Sequence, residues 1–204
     1  MVIGKDFAWG HIGKTGGDAT SRLFQCVPDL IERAHASDDP AKHRPFTAEG
    51  VQDRKLLLNL RRLPSVTLSY VNHARLYGLG QAMPRGTQVT PAQAIEARRA
   101  ERELRMHTAD GTLPIHRWLR MENLREDFLE FVRTIRQPTP AEIDAIRSVP
   151  TKPPMPYDHD PHTFFSPEQI AQLYEASPTW ARYEREVYGD LLLPSKAAAG
   201  KASG

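Results

Sequence analysis

Lys14 stands inside a run of glycines. The stretch AWGHIGKTGG, residues 8–17, ends in Gly13-Lys14-Thr15-Gly16-Gly17. Glycines let main-chain N–H groups approach a ligand without side-chain obstruction. If a helix opens directly behind them, its N-terminus adds partial positive charge, so this is a cradle for an anion with one lysine inside it. The helix is expected at Asp18–Cys26, where Leu23, Phe24 and Val27 supply an apolar side, and a short strand is expected ahead of it at 6–12. Strand, glycine-rich turn and helix form the context in which such a loop acquires meaning.

Ala8-x4-Gly13-Lys14-Thr15 satisfies a permissive nucleotide P-loop pattern. A Mg²⁺-dependent kinase or NTPase needs a further acidic group to help hold the metal. The apolar run LLLNL (56–60) leads instead into Arg61 and Arg62, and Glu122 follows Arg117, Trp118 and Arg120. Arginine presents a planar fork suited to phosphate. The pattern therefore favours a second phosphate over a metal, and no metal ligands are assigned. Asp158-His159-Asp160-Pro161-His162 has metal-binding residue types but lies in a proline-rich linker with no second ligand group at suitable spacing.

The elements that must position these residues alternate between strand and helix. LPIHRWLRM (113–121) reads as another strand, followed by a helix from Glu122 to Ile135. The helix after LLLNL begins near Pro64, since proline is tolerated in a first turn. A charged helix is expected over 92–107 with a solvated face, a short helix behind Thr139, and a last helix from Ser166 to about Tyr188. This alternation predicts an α/β fold with a mostly parallel central sheet flanked by helices. One domain is expected over 1–190, containing a proline-rich linker from Pro150, with a low-complexity tail over 191–204.

Bulk properties narrow the classes. The chain has 204 residues, a net charge of +2, 25% charged and 40% hydrophobic residues. A folded protein of this size can bury a core. So small a charge gives no case for nucleic acid as partner. The single Cys26 excludes an internal disulfide, and no apolar run approaches the ~18 residues of a membrane span. A cytoplasmic location is expected.

HIGKTGG resembles the 5′-phosphosulfate loop of sulfotransferases that use 3′-phosphoadenosine 5′-phosphosulfate (PAPS), often written H-I-x-K-T-G-G. LLLNLRRLPSVTLSYVNH resembles the second signature of that family: a strand ending in arginine, a proline turn, then a serine on the next helix. Arg61 and Ser69 keep the family's eight-residue separation, while Arg62 rivals Arg61 because the proline is one place late. HRWLRMENLREDFLEFV resembles a third family element. The resemblance implies a P-loop-type, sulfotransferase-like fold and an enzyme that releases PAP and requires no metal. It implies Lys14 as the catalytic cation and Gly13, Lys14, Thr15, Gly16, Gly17 and Asp18 around the 5′-phosphate, with Arg61 and Ser69 on the 3′-phosphate. Many members carry threonine or serine where this chain has Asp18, and Thr20 is a possible replacement hydroxyl. Histidine titrates near neutrality and suits a general base. His43 is the first candidate and His35 the second, with His11 lining the pocket. The acceptor, a hydroxyl or amine, stays open among small alcohols, carbohydrates, lipids and protein tyrosine, its specificity residing in the loops 78–91 and 150–165. A P-loop kinase and a catalytically degenerate nucleotide-binding member remain the rivals.

Overall fold

The computed structural model describes residues 1–36, 38–78, 84–150 and 156–193. The tail from Pro194, the stretch 79–83 of the 78–91 loop and the stretch 151–155 of the linker lie outside them. In chain order the elements are β1 (Val2–Ile3), β2 (Phe7–Gly10), α1 (Gly17–Gln25), β3 (Arg33–Ala34), α2 (Phe46–Glu49), β4 (Lys55–Leu60), α3 (Leu63–Tyr77), α4 (Pro91–Ala97), α5 (Arg99–His107), β5 (Arg117–Arg120), α6 (Leu124–Arg133), α7 (Pro140–Ser148), α8 (Pro167–Glu175) and α9 (Pro178–Tyr188). Two compact units result: Met1–Arg61 with Arg102–Pro156, and Arg62–Glu101 with Tyr157 onward. Among the described residues no helix is long and apolar enough to cross a membrane.

The first unit carries a five-stranded sheet in the order β3-β1-β2-β4-β5. β2, β4 and β5 are parallel, with Trp9 opposite Leu57 and Leu58 opposite Trp118. β1 is antiparallel to both β2 and β3. The α/β architecture is therefore present, but the sheet is mixed rather than mostly parallel. β1 and β3 are two-residue strands, too short to carry the period-2 pattern by which strands are read from sequence. Strand alternation divides the faces of β2 and β4. Phe7, Trp9 and Leu57 join Leu23 and Phe24 of α1, Phe128, Leu129 and Val132 of α6, and Ile146 of α7 in one buried cluster. Phe24 stands edge-on to Phe128 at 4.9 Å between centroids. On the opposite face, a side chain at Gly10 would collide with Leu58 and Phe46 and crowd His107.

β5 is shorter than the predicted 113–121 strand. Its end is fastened to α6 by Asp127, whose side chain is 4% exposed and pairs with Arg120 at 2.6 Å. Asp127 also accepts from the Arg120 main-chain N–H at 2.8 Å and from the Asn123 amide at 2.8 Å. Burial pushes this carboxyl up, but the hydrogen bonds from Arg120 and Asn123 outweigh that and hold it below its ordinary range.

The second unit is helical in its described residues. Its anchors are two buried carboxylates. Glu184, fully buried, accepts from the Leu63 N–H at 2.8 Å, the Tyr174 hydroxyl at 2.6 Å and Arg62 at 3.3 Å. Glu101 accepts from the N–H groups of Thr179 and Trp180 at 3.1 and 2.8 Å, neutralising the start of α9 as a capping anion does. The expected 92–107 helix is two helices, broken where Arg98 takes a left-handed φ of 45°. Its α5 half keeps a solvated face at Arg102 and Arg105 and buries the other side through Glu101, Leu104 and His107. The expected 166–188 helix is likewise two. Pro178 disfavours helical geometry at the residue before it, and Ser177 takes φ −131°, ψ 60°. The capping boxes at Thr139 and Ser166 form as the sequence predicts.

Candidate anion-binding loop

β2 delivers His11 and Ile12 to the loop, and α1 begins at Gly17. Two residues make the turn. Lys14 has φ 62°, a left-handed conformation that costs a residue bearing a Cβ about 1 kcal/mol, and Gly16 has φ 94°. Glycine is required at Gly16 both for that φ and because Met121 packs against it. Gly17 is required for space, since a Cβ there would overlap the His11 imidazole. Gly16 is the N-cap of α1 and supplies no side-chain cap, so the N–H groups of the first turn, which have no acceptor within the helix, face the loop.

The loop is held from behind by a residue that sequence reading passed over. Asn59, fully buried on β4, accepts from Trp9 Nε1 at 2.6 Å. It donates to the Thr15 carbonyl at 3.2 Å and to Thr20 Oγ1 at 2.8 Å. The available signal was a lone amide in an otherwise apolar strand, which must find partners when buried.

Thr15 and Thr20 belong to this support. Both are fully buried. The Thr15 hydroxyl donates to the Ile12 carbonyl at 2.8 Å and that of Thr20 to the Gly16 carbonyl at 3.2 Å. Thr20 is thus drawn into the Asn59 network and away from the replacement role. Asp18 is exposed in the first turn of α1.

Arg61 reaches the loop, its Nη1 donating to the Lys14 carbonyl at 3.3 Å. The rival Arg62 is engaged elsewhere, by Glu184, by Asp190 at 2.6 Å and over the Tyr188 ring at 4.2 Å. Ser69 is buried on α3, in the second unit.

A carboxylate that the sequence did not flag lies against the loop. Glu103 of α5 accepts from the Gly13 N–H at 2.9 Å. One turn further on, His107 is 1% exposed, and burial pushes it down to about 4. It hydrogen-bonds the His11 main chain, while its Nδ1 has no hydrogen-bond partner among the described residues.

His43 Nδ1 lies 3.0 Å from the His11 carbonyl oxygen. A carbonyl only accepts, so neutral His43 carries its proton on Nδ1 and its lone pair on Nε2. The His43 and His11 rings are 4.5 Å apart. Burial first, and His43 second, push His11 down to about 3, so it is neutral near pH 7. His35 is 3.7 Å from Glu49, and its buried Nδ1 has no hydrogen-bond partner among the described residues.

A cleft of about 470 Å³ adjoins the loop, lined by Met1, His11, Asp18, Ser21, Arg22, Gln25, His35 and Lys42. No group of His, Cys, Asp and Glu able to hold a metal occurs among the described residues. No family model matches the chain, and neither a curated protein nor a solved structure matches it.

Proposed function

We propose that the protein is a PAPS-dependent sulfotransferase whose Lys14 loop holds the 5′ end of the donor. The observation that carries this reading is the Lys14–Gly17 turn opening an uncapped helix, with the Arg61 guanidinium drawn to the same turn. An uncapped helix start and a lysine suit a dianionic phosphate. The close packing at Gly16 and Gly17 keeps the cradle free of side chains of its own.

In this reading Lys14 stabilises the negative charge that develops on the bridging oxygen as the sulfur–oxygen bond to the 5′-phosphate breaks. The main-chain N–H groups of the loop orient that phosphate. Arg61 takes the 3′-phosphate, and the engagement of Arg62 with Glu184 and Asp190 favours Arg61 in that role. His43 Nε2 removes the acceptor's proton as the acceptor oxygen bonds to sulfur, with Nδ1 held on the His11 carbonyl. The products are a sulfated acceptor, PAP and protonated His43, which returns its proton to solvent.

A specific observation favours a second reading. Glu103 holds the Gly13 N–H, where an anion would bind, and Asp18 adds a second negative charge in the first helical turn. That suits a family member that has lost turnover and keeps nucleotide binding. Transfer of labelled sulfate from PAPS to a mixed acceptor pool separates the two. Label in an acceptor supports the enzyme, and PAP binding without transfer supports the silent member.

A further inference from the structure

We infer that the cleft beside the loop is the acceptor site and that it takes a small, polar, hydroxyl-bearing molecule carrying a fixed anionic group. This rests on the sulfotransferase reading for the word acceptor, and on the cleft alone for the class of ligand.

Three observations converge. The volume of about 470 Å³ falls within the usual range for small-molecule sites. Its lining contains no Trp, Tyr or Phe, so it offers no flat apolar surface to an aromatic or steroidal acceptor. Its ionic groups are unbalanced. Arg22 and Lys42 carry positive charge, Asp18 is the one acidic lining residue, and burial keeps His11 neutral near pH 7. Such a set attracts a carboxylate, sulfate or phosphate.

The helix geometry gives each group a part. Asp18, Ser21, Arg22 and Gln25 lie at spacings of three, one and three, which places them along one face of α1. That face presents an acceptor at Asp18, both kinds of hydrogen-bonding group at Ser21 and Gln25, and a forked cation at Arg22. Hydroxyls of a sugar-like molecule match the first three, and its anionic group matches Arg22 and Lys42. The cleft reaches the chemistry through His11, whose ring lies 4.5 Å from that of His43. Asp18, the residue at odds with the sulfotransferase pattern, is thereby assigned to the acceptor and not to the donor phosphate.

Methyl β-D-glucuronide and methyl β-D-glucoside share their ring hydroxyls and differ in the carboxylate at C6. Titration of each into the full-length protein, followed by the imidazole resonances of His11 and His35, tests the inference without requiring turnover. The glucuronide is expected to bind at least about ten-fold tighter, the worth of one charge-assisted contact, and to shift both resonances. In the Arg22→Ala, Lys42→Ala double variant, shown to be folded by its thermal midpoint, the preference falls to about two-fold or less. Repeating the pair with a galactose 6-sulfate glycoside and its unsulfated parent shows whether sulfate replaces carboxylate; a preference in either pair supports the anionic class. Equal binding within both pairs, no binding, or shifts that bypass His11 and His35 overturn it. Calorimetry with PAP on the same samples separates the two claims. PAP silence with glucuronide binding intact overturns the donor reading alone, whereas PAP binding without ligand preference overturns the acceptor inference alone.

Discussion

Replacing Asn59 with leucine removes the group that ties the loop to the sheet. Leucine keeps the branched outline of asparagine but is the larger side chain, so the change leaves no cavity and adds some overpacking to the loss of polarity. Trp9 Nε1 loses its partner at 2.6 Å in a site with no solvent exposure. The Thr15 carbonyl loses a donor at 3.2 Å, and Thr20 Oγ1 loses a donor at 2.8 Å while keeping its own bond to Gly16. An orphaned buried group costs ~1–3 kcal/mol. Trp9 and Thr15 together thus contribute roughly 2–6 kcal/mol, with Thr20 adding a smaller part. A loss on the order of 3–5 kcal/mol is a large fraction of a domain's stability. Urea unfolding followed by tryptophan fluorescence measures it as a shift in midpoint at constant slope. Trp9→Phe removes the indole donor, so Asn59→Leu on that background should cost at least about 1 kcal/mol less than on the wild type. A loss below about 1 kcal/mol for Asn59→Leu alone, or strict additivity with Trp9→Phe, would refute the assignment of Asn59 as the loop's support.

His107 is neutral when folded, with its pKa near 4, whereas the unfolded chain takes up a proton at its ordinary value near 6.5. Its contribution to stability is therefore intact above pH 6.5 and is lost progressively as pH falls from 6.5 toward 4, at up to ~1.4 kcal/mol per pH unit. His107→Phe should flatten the stability–pH curve over that window, and equal slopes would contradict the burial argument. Glu103→Gln keeps an acceptor for the Gly13 N–H and removes a negative charge from the cradle, so PAP should bind roughly 2–10-fold tighter at low salt; weaker binding in calorimetry would show that the carboxylate does not oppose the phosphate. Lys14→Ala should lower kcat by about 10²-fold or more with little change in PAP affinity. Arg61→Ala should weaken PAP mainly, by about ten-fold or more. Kinetics with both effects falling on the same parameter would remove the division of roles.

Much of the first unit was legible because its signals are local. Gly13-Lys14-Thr15-Gly16-Gly17 between an apolar strand and an amphipathic helix places the loop. LLLNL marks β4, and Thr139 and Ser166 mark helix starts through the cap and the residue three positions later. What the sequence hid is relational. β1 and β3 exist through pairing with neighbours and not through a pattern of their own. The charged run 92–107 shows no glycine or proline at Arg98, so no local residue marks its break. Its carboxylates divide by tertiary partner: Glu101 onto the start of α9 and Glu103 onto the Gly13 N–H. Sequence periodicity cannot separate such residues from solvated ones, because charge alone does not say which amide a carboxylate will meet. His43 was selectable as a titrating group, but the polarity of its ring follows only from the His11 carbonyl that holds Nδ1.

Isothermal titration of the full-length protein with PAP and with ATP, in the presence and absence of Mg²⁺, bears most directly on the sulfotransferase reading. The expected result is PAP binding that is independent of Mg²⁺, tighter than ATP by at least about ten-fold, and reduced to the ATP level by Arg61→Ala. Preference for ATP that depends on Mg²⁺, or PAP binding that Arg61→Ala leaves untouched, would contradict it.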